Sequence, residues 1–375
     1  MKKHPPVTMR AYQASGFYDE IKTDFTDFQA YIAHCRAGIL AARLDLTAKT
    51  REKIVNANCP FELCEEANPR KGILLLHGLY DSPCVMLNIA QYFAQRGFLV
   101  RSLLMPGHGT VPGDLLKVCY QDWLAWGQFG LKTLFDEVDE VYLGGFSTGG
   151  AVASYLALQQ PARFKKLFLF SPAFKLTTTL SYVAHFHRRI SWLLPAPHWL
   201  CLMDEIDYAK YRSFTVNSLC QIDMLGAKIR QHVAEKKIPF PTFWVTTQHD
   251  EVLSTKTLLE IFLKASTSDS QLIYYSPKQF LCDDARVAWR SSQLLSDNIV
   301  DMSHVALPIA PTHFHYGKTG DFQRLVNETL AKKNKTPLYY GSLKNINLMS
   351  RASLARLTYN FDFSHLTHQM DQFLR

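Results

Sequence analysis

The chain has 375 residues, 47% of them apolar, 20% charged and 13% aromatic, and carries a formal net charge of +8. This is the composition of an ordinary globular protein, and it excludes a disordered chain, a fibrous repeat and a small disulfide scaffold. The eight cysteines (35, 59, 64, 84, 119, 201, 220 and 282) follow no Cys-x-x-Cys pattern, which points to reduced, mostly buried thiols rather than a disulfide frame or a zinc site. The N-terminus is basic, Met1-Lys2-Lys3-His4, with no apolar segment behind it, so no export signal is readable. No apolar stretch approaches the roughly 20 residues that span a bilayer. A cytoplasmic protein that is not integral to a membrane is expected. From Lys318 onward there are nine Lys/Arg against four Asp/Glu; this basic region reads either as a solvated face or as a surface for peripheral contact with anionic lipid headgroups. No nucleic-acid motif accompanies it.

In chain order, residues 17–46 repeat apolar positions at intervals of three and four, which predicts an amphipathic helix; residues 1–70 read as an N-terminal helical extension packed on the core. Residues 56–63 are expected as an edge strand. Lys71-Gly72-Ile73-Leu74-Leu75-Leu76 is a continuous apolar run ended by glycine, the pattern of a buried parallel strand. A helix is predicted over 86–96, a strand over 98–104, the loop Pro106-Gly107-His108-Gly109, a helix over 123–135, a strand from Glu140 and another from Lys166. Strands alternating with helices imply β-α-β units and a mostly parallel, doubly wound sheet. The alternation lapses over 173–240, which carries Phe186, Trp192, Trp199, Pro195 and Pro197 and reads as a mostly helical insertion with no clear strand. The pattern resumes with a strand from Pro241, a helix over 255–264 and a strand from Gln271, and a last helix is predicted over 364–374. The core is thus expected in two parts, 71–172 and 241–375.

The stretch from Glu140 to Leu158 is a strand, a sharp turn and a small-residue helix, with Ser147 at the apex. A serine attacks a carbonyl only if its hydroxyl projects from such a turn, and glycines two positions either side, Gly145 and Gly149, avoid collisions with the strand and helix. A serine nucleophile needs a base to take its proton, an acid to orient that base, and donors for the oxyanion. In a doubly wound sheet these belong at the carboxyl ends of strands. Asp250 follows the strand Phe243–Thr247 and is the expected acid, with Glu251, Asp283, Asp284 and Asp301 as fallbacks. His304 is the expected base among the histidines beyond it (304, 313, 315, 365 and 368), with His313 in reserve. The oxyanion donors are expected to be the backbone N–H groups of Thr148 and Leu79, with Gly78 letting the backbone come close to the substrate. The His-x-His pairs at 185/187 and 313/315 lack partner ligands of matching spacing, so no metal is expected.

The set His77-Gly78-Leu79, Pro106-Gly107-His108-Gly109, Gly145-Phe146-Ser147-Thr148-Gly149, Asp250 and Ser303-His304 resembles the α/β-hydrolase superfamily, in particular monoacylglycerol lipases, lysophospholipases and related carboxylesterases. The resemblance spans roughly residues 70–320. It implies an α/β-hydrolase fold in which 173–240 forms a cap over the site, and a catalytic triad Ser147, His304 and Asp250 that needs no cofactor. The expected activity is hydrolysis of a carboxylic ester of an acyl lipid or another apolar acyl group. Thioesterase, peptidase or acyltransferase chemistry on the same triad, and a non-catalytic binding protein that keeps the fold, are the alternatives.

Overall fold

A computed structural model describes residues 9–177, 198–332, 338–344 and 353–375. The strands are, in order, β1 (Phe61–Leu63), β2 (Lys71–Leu76), β3 (Phe98–Leu103), β4 (Glu140–Phe146), β5 (Phe164–Phe170), β6 (Trp199–Cys201), β7 (Phe214–Thr215), β8 (Thr242–Thr247), β9 (Gln271–Ser276), β10 (Val287–Ser291), β11 (Leu338–Gly341) and β12 (Ser353–Arg356). Eight of them form one sheet in the order β1-β3-β2-β4-β5-β8-β9-β10. Only β1 runs antiparallel to its neighbour; the other pairings are parallel. The chain belongs to the α/β class, with the α/β-hydrolase arrangement of a mostly parallel sheet between helices.

The continuous apolar runs follow from burial on both faces. In β2, Ile73 and Leu75 enter one core and Leu74 and Leu76 the other, because successive side chains of a strand point to opposite faces. The Leu74 face is covered by α1 (Phe28–Ala42), α4 (Tyr120–Phe135), α5 (Thr148–Gln159), α6 (Val216–Glu235) and α7 (Thr255–Ala265). The Ile73 face is covered by α3 (Leu87–Ala94) and the terminal helix α9 (Phe363–Leu374). Each such buried Leu or Ile contributes about 1.5–3 kcal/mol. From β2 the chain crosses to β3 on one side and returns to β4 on the other, which opens a crevice at the carboxyl ends of these strands.

Several predicted elements are shorter or different. Within 17–46 only Phe28–Ala42 is helical, starting where the Asp27 side chain accepts from the Ala30 N–H at 2.7 Å. Within 56–63, Asn56 to Asn58 finish the helix α2 (Arg51–Asn58), and only Phe61–Leu63 pairs as a strand; Pro60 disfavours helix at Cys59 and separates the two. The described part of 173–240 contains the long helix α6 but also the short antiparallel pair β6–β7, against the expectation of no strand. Phe186, Trp192, Pro195, Pro197 and the His185/His187 pair lie outside the described residues. Strand β10 went unpredicted because it is an edge strand, half-buried and interrupted by Arg290. The basic C-terminal region is not one face: Lys318 pairs with Asp297 and Arg324 with Asp321 at the start of α8 (Asp321–Ala331), whereas Lys344 and Arg356 turn to a cavity. Among the described residues no helix is long and apolar enough to cross a membrane.

The extension before residue 70 is tied to the loop after β3. The Tyr31 hydroxyl donates to the Leu104 carbonyl at 2.8 Å and accepts from the Leu104 N–H at 3.0 Å, and the Tyr18 hydroxyl donates to the His108 carbonyl at 2.6 Å.

Candidate active site

Ser147 heads α5 directly after β4 with φ +52° and ψ −115°, a left-handed conformation that costs a non-glycine residue of order 1–3 kcal/mol. Close packing enforces it. A Cβ on Gly145 would lie 2.3 Å from the Gly149 carbonyl, and one on Gly149 would lie 2.1 Å from the Leu76 oxygen. The Ser147 N–H donates to the Phe170 carbonyl at 2.9 Å, and its own carbonyl accepts from Ala151 and Ala173. The turn is thereby locked to β5 and to its own helix. Thr148 follows as the first residue of α5, where helix N–H groups have no partner within the helix.

Leu79 lies in the loop after β2, and the histidines of the two flanking motifs hold that loop. His77 accepts the Met105 N–H at Nε2, 3.0 Å, and its Nδ1 donates to the Gly78 carbonyl at 2.8 Å. His108 accepts the Tyr80 N–H at Nε2, 3.0 Å, and its Nδ1 faces the carbonyls of Met105 and Pro106. A backbone N–H can only donate, so both rings are neutral with the proton on Nδ1. Burial pushes His77 well below the usual imidazole range, and lowers His108 to about 4. The backbone of Tyr80 is left-handed, φ +68°, and its carbonyl accepts from Tyr211 at 2.8 Å. Leu79 is therefore followed by a residue pinned on both sides. The space at Gly78 is filled from within the protein, because a Cβ there would lie 2.4 Å from Asp81 Oδ2 and 3.0 Å from the Phe146 ring.

Asp250 is fully buried after β8. One carboxylate oxygen accepts from the Val252 and Leu253 N–H groups, both at 2.8 Å. The other accepts from the Ser171 hydroxyl at 2.6 Å and from His304 Nδ1 at 2.6 Å. Burial, the largest influence, pushes this carboxyl up; the His304, Ser171 and Leu253 contacts together outweigh it and hold the group below the ordinary carboxylate range. With Nδ1–H directed at Asp250, the lone pair of His304 sits on Nε2. The His304 ring packs on Phe146 at 4.9 Å between centroids, and its N–H donates to Glu251 at 3.2 Å. The Thr247 hydroxyl donates to the Met302 carbonyl at 3.0 Å, which ties the end of β8 to the His304 loop.

The fallback residues go elsewhere. Asp301 pairs with His249, and Glu251 faces Arg356 at 3.0 Å. Asp283 is exposed, and Asp284 pairs with Arg286 just ahead of β10, at the opposite end of the sheet. His313 is lowered to about 4, chiefly by burial; its Nε2 meets the Cys84 carbonyl and its Nδ1 accepts from the backbone of His315 and Tyr316. His315 pairs with Asp207 at 2.8 Å. His365 and His368 lie on α9.

Ser147, Thr148, Leu79 and His304 line one cavity of about 590 Å³. Its walls include Leu176, Phe214, Leu219 and Ile222 from the 173–240 segment, and the charged residues Asp81, Lys210, Glu251, Lys344 and Arg356. Sequence reasoning missed Ser171, which holds Asp250 from a left-handed backbone of φ +43°, and Lys210, which pairs with Asp81. Ser171-Pro172 at the end of a predicted strand was the available signal for the first; nothing local marks the second.

The family described as serine aminopeptidase, S33, matches residues 67–278. The chain is 32% identical over 90 residues to the thermostable monoacylglycerol lipase of Bacillus sp. (strain H-257), a match spanning 24% of this chain and only 36% of that protein. It is 24% identical over 211 residues to the carboxylesterase of Bacillus subtilis (strain 168), covering 55% of this chain and 82% of that one. Among solved structures, one of LipS and LipT, two metagenome-derived lipolytic enzymes, shares the fold with a TM-score of 0.50 at 22% identity, over 58% of this chain and 86% of the other.

Proposed function

This chain belongs to the serine aminopeptidase S33 family of α/β-hydrolase serine hydrolases, and from that premise we propose that it cleaves carboxylic esters of apolar acyl groups through an acyl-enzyme on Ser147. The observation that carries the reading is that the Ser147 turn and His304, itself held by buried Asp250 at 2.6 Å, line one largely apolar cavity. His304 Nε2 takes the Ser147 proton as Oγ bonds to the ester carbonyl carbon. The oxyanion is met by the N–H groups of Thr148 and Leu79. Collapse breaks the bond to the alcohol oxygen, which leaves with the proton from His304. Water then attacks the acyl-enzyme with His304 again as base, and releases the acid. Asp250 stabilises the imidazolium formed in both halves. The described part of 173–240 acts as the cap that selects the acyl group, since Leu176, Phe214, Leu219 and Ile222 supply apolar wall.

An aminopeptidase reading would need a carboxylate for the substrate's free amine. Among the described residues, both carboxylates lining the cavity are engaged, Asp81 by Lys210 and Glu251 by Arg356 and the His304 N–H. That favours ester over peptide. The test is labelling with a fluorophosphonate probe and turnover of p-nitrophenyl esters of increasing chain length. Labelling at Ser147 and loss of about 10^6 in kcat in Ser147→Ala are expected; full turnover by that variant would end the proposal.

A further inference from the structure

Two cations of the cavity wall come from a part of the chain beyond the matched family segment. Strands β11 and β12 pair in parallel, Leu338 opposite Ser353 through Gly341 opposite Arg356, and lie outside residues 67–278. They bring Lys344 and Arg356 to the wall that also holds His304 and Glu251. The carboxylate of Glu251 lies beside them, and it is already shared: Ser342 donates to it at 3.1 Å, His304 N–H at 3.2 Å, and Arg356 Nε lies 3.0 Å away. Lys344 Nζ donates to the Asp250 carbonyl at 3.3 Å, and among the described residues it has no carboxylate partner. A guanidinium carries five N–H donors and an ammonium three, far more than these contacts use. Among the described residues lining the cavity, the cations Lys210, Lys344 and Arg356 exceed the carboxylates Asp81 and Glu251 by one, and Leu176, Phe214 and Ile222 line the same cavity.

We propose that Lys344 and Arg356 form an anion-recognising subsite, so that the preferred ester is amphipathic, with an apolar acyl segment and a carboxylate or phosphate remote from the scissile carbonyl. This rests on the ester-hydrolase reading above. Carboxylate and phosphate are the groups that Arg and Lys bind through charge-assisted hydrogen bonds, and complementary charge discriminates partners more than it adds affinity.

The experiment compares matched esters on the full chain. In the carboxylate arm, p-nitrophenyl hemiadipate is set against p-nitrophenyl hexanoate; in the phosphate arm, a hexanoyl ester of glycerol phosphate is set against hexanoylglycerol. In at least one arm the wild-type ratio of kcat/KM, anionic over neutral, is expected at about tenfold or more, falling by at least about tenfold in Lys344→Glu and surviving in Lys344→Arg. The ratio should also shrink when ionic strength rises from about 0.05 to 0.5 M. The arm that responds identifies the anion. A ratio at or below one in both arms, or one unchanged in Lys344→Glu, overturns the subsite. Fluorophosphonate labelling is run in parallel: labelled Ser147 with a flat ratio removes the subsite alone, while absence of labelling removes the hydrolase reading and this inference with it.

Discussion

The β4–α5 turn and the His304 loop face one cavity, yet they are held there by different means. Ser147 is placed by backbone alone: two glycines with no room for a Cβ, a φ of +52°, and amide bonds to β5. His304 is placed by side chains from distant segments, namely the Asp250 carboxylate, the Ser171 hydroxyl behind it, Glu251 beneath its N–H, and Thr247 on the Met302 carbonyl. The first device is rigid and short-range. The second is a chain of hydrogen bonds, each of which can be removed separately.

That contrast is broken most strongly at its junction. Asp250→Asn keeps the shape but stabilises the wrong imidazole tautomer, and kcat should fall by about 10^4 with little change in KM. On the backbone side, Gly149→Ala should destabilise the whole fold by roughly 3 kcal/mol, read as a lower urea midpoint, because its Cβ meets main chain that cannot move aside. The neutral histidines give a pH signature of similar size. His108 and His313 are each lowered to about 4 in the folded chain. Between that value and the unfolded value near 6.5 the unfolded state binds more protons, so stability falls as pH drops from about 6.5 to 4, by on the order of 3 kcal/mol for each group. Thermal melts from pH 7 to 4 should show this, with a shallower slope in His108→Asn. Asp250 has the depressed carboxyl value, so its contribution is present above about pH 4 and is lost only below that. Ser171→Ala removes one donor to a buried carboxylate and should lower kcat by about tenfold. The smallest effect is expected in the extension, where Tyr31→Phe loses the hydrogen bonds to Leu104 and should cost about 1 kcal/mol in urea unfolding with fluorophosphonate labelling of Ser147 unchanged.

Much of the sheet was legible because its strands are buried on both faces and read as unbroken apolar runs, as at Lys71–Leu76 and Thr242–Thr247. The strands that escaped notice, β6, β7, β10, β11 and β12, lie at the sheet edge or in separate two-stranded pairs, where the apolar signal is diluted. The interval between Asp250 and His304 holds α7, β9 and the additional strand β10. Among the downstream histidines, residue type could not separate His304 from His313; of these two only His304 has a buried carboxylate on its Nδ1 and lines the cavity that holds Ser147.

The sequence by itself determined the alternating fold and the Ser147 turn, since both depend on interactions within a few residues: burial periodicity, and glycines where a side chain cannot fit. Tertiary structure alone decided which acid meets which base, that His77 and His108 brace the Leu79 loop, and that the partly exposed Lys344 and Arg356 line the same cavity as Ser147 and His304. Those outcomes depend on which segments fold together across hundreds of residues; strand ends and chain order could propose candidates for the acid and the base, but no local pattern fixes their contact.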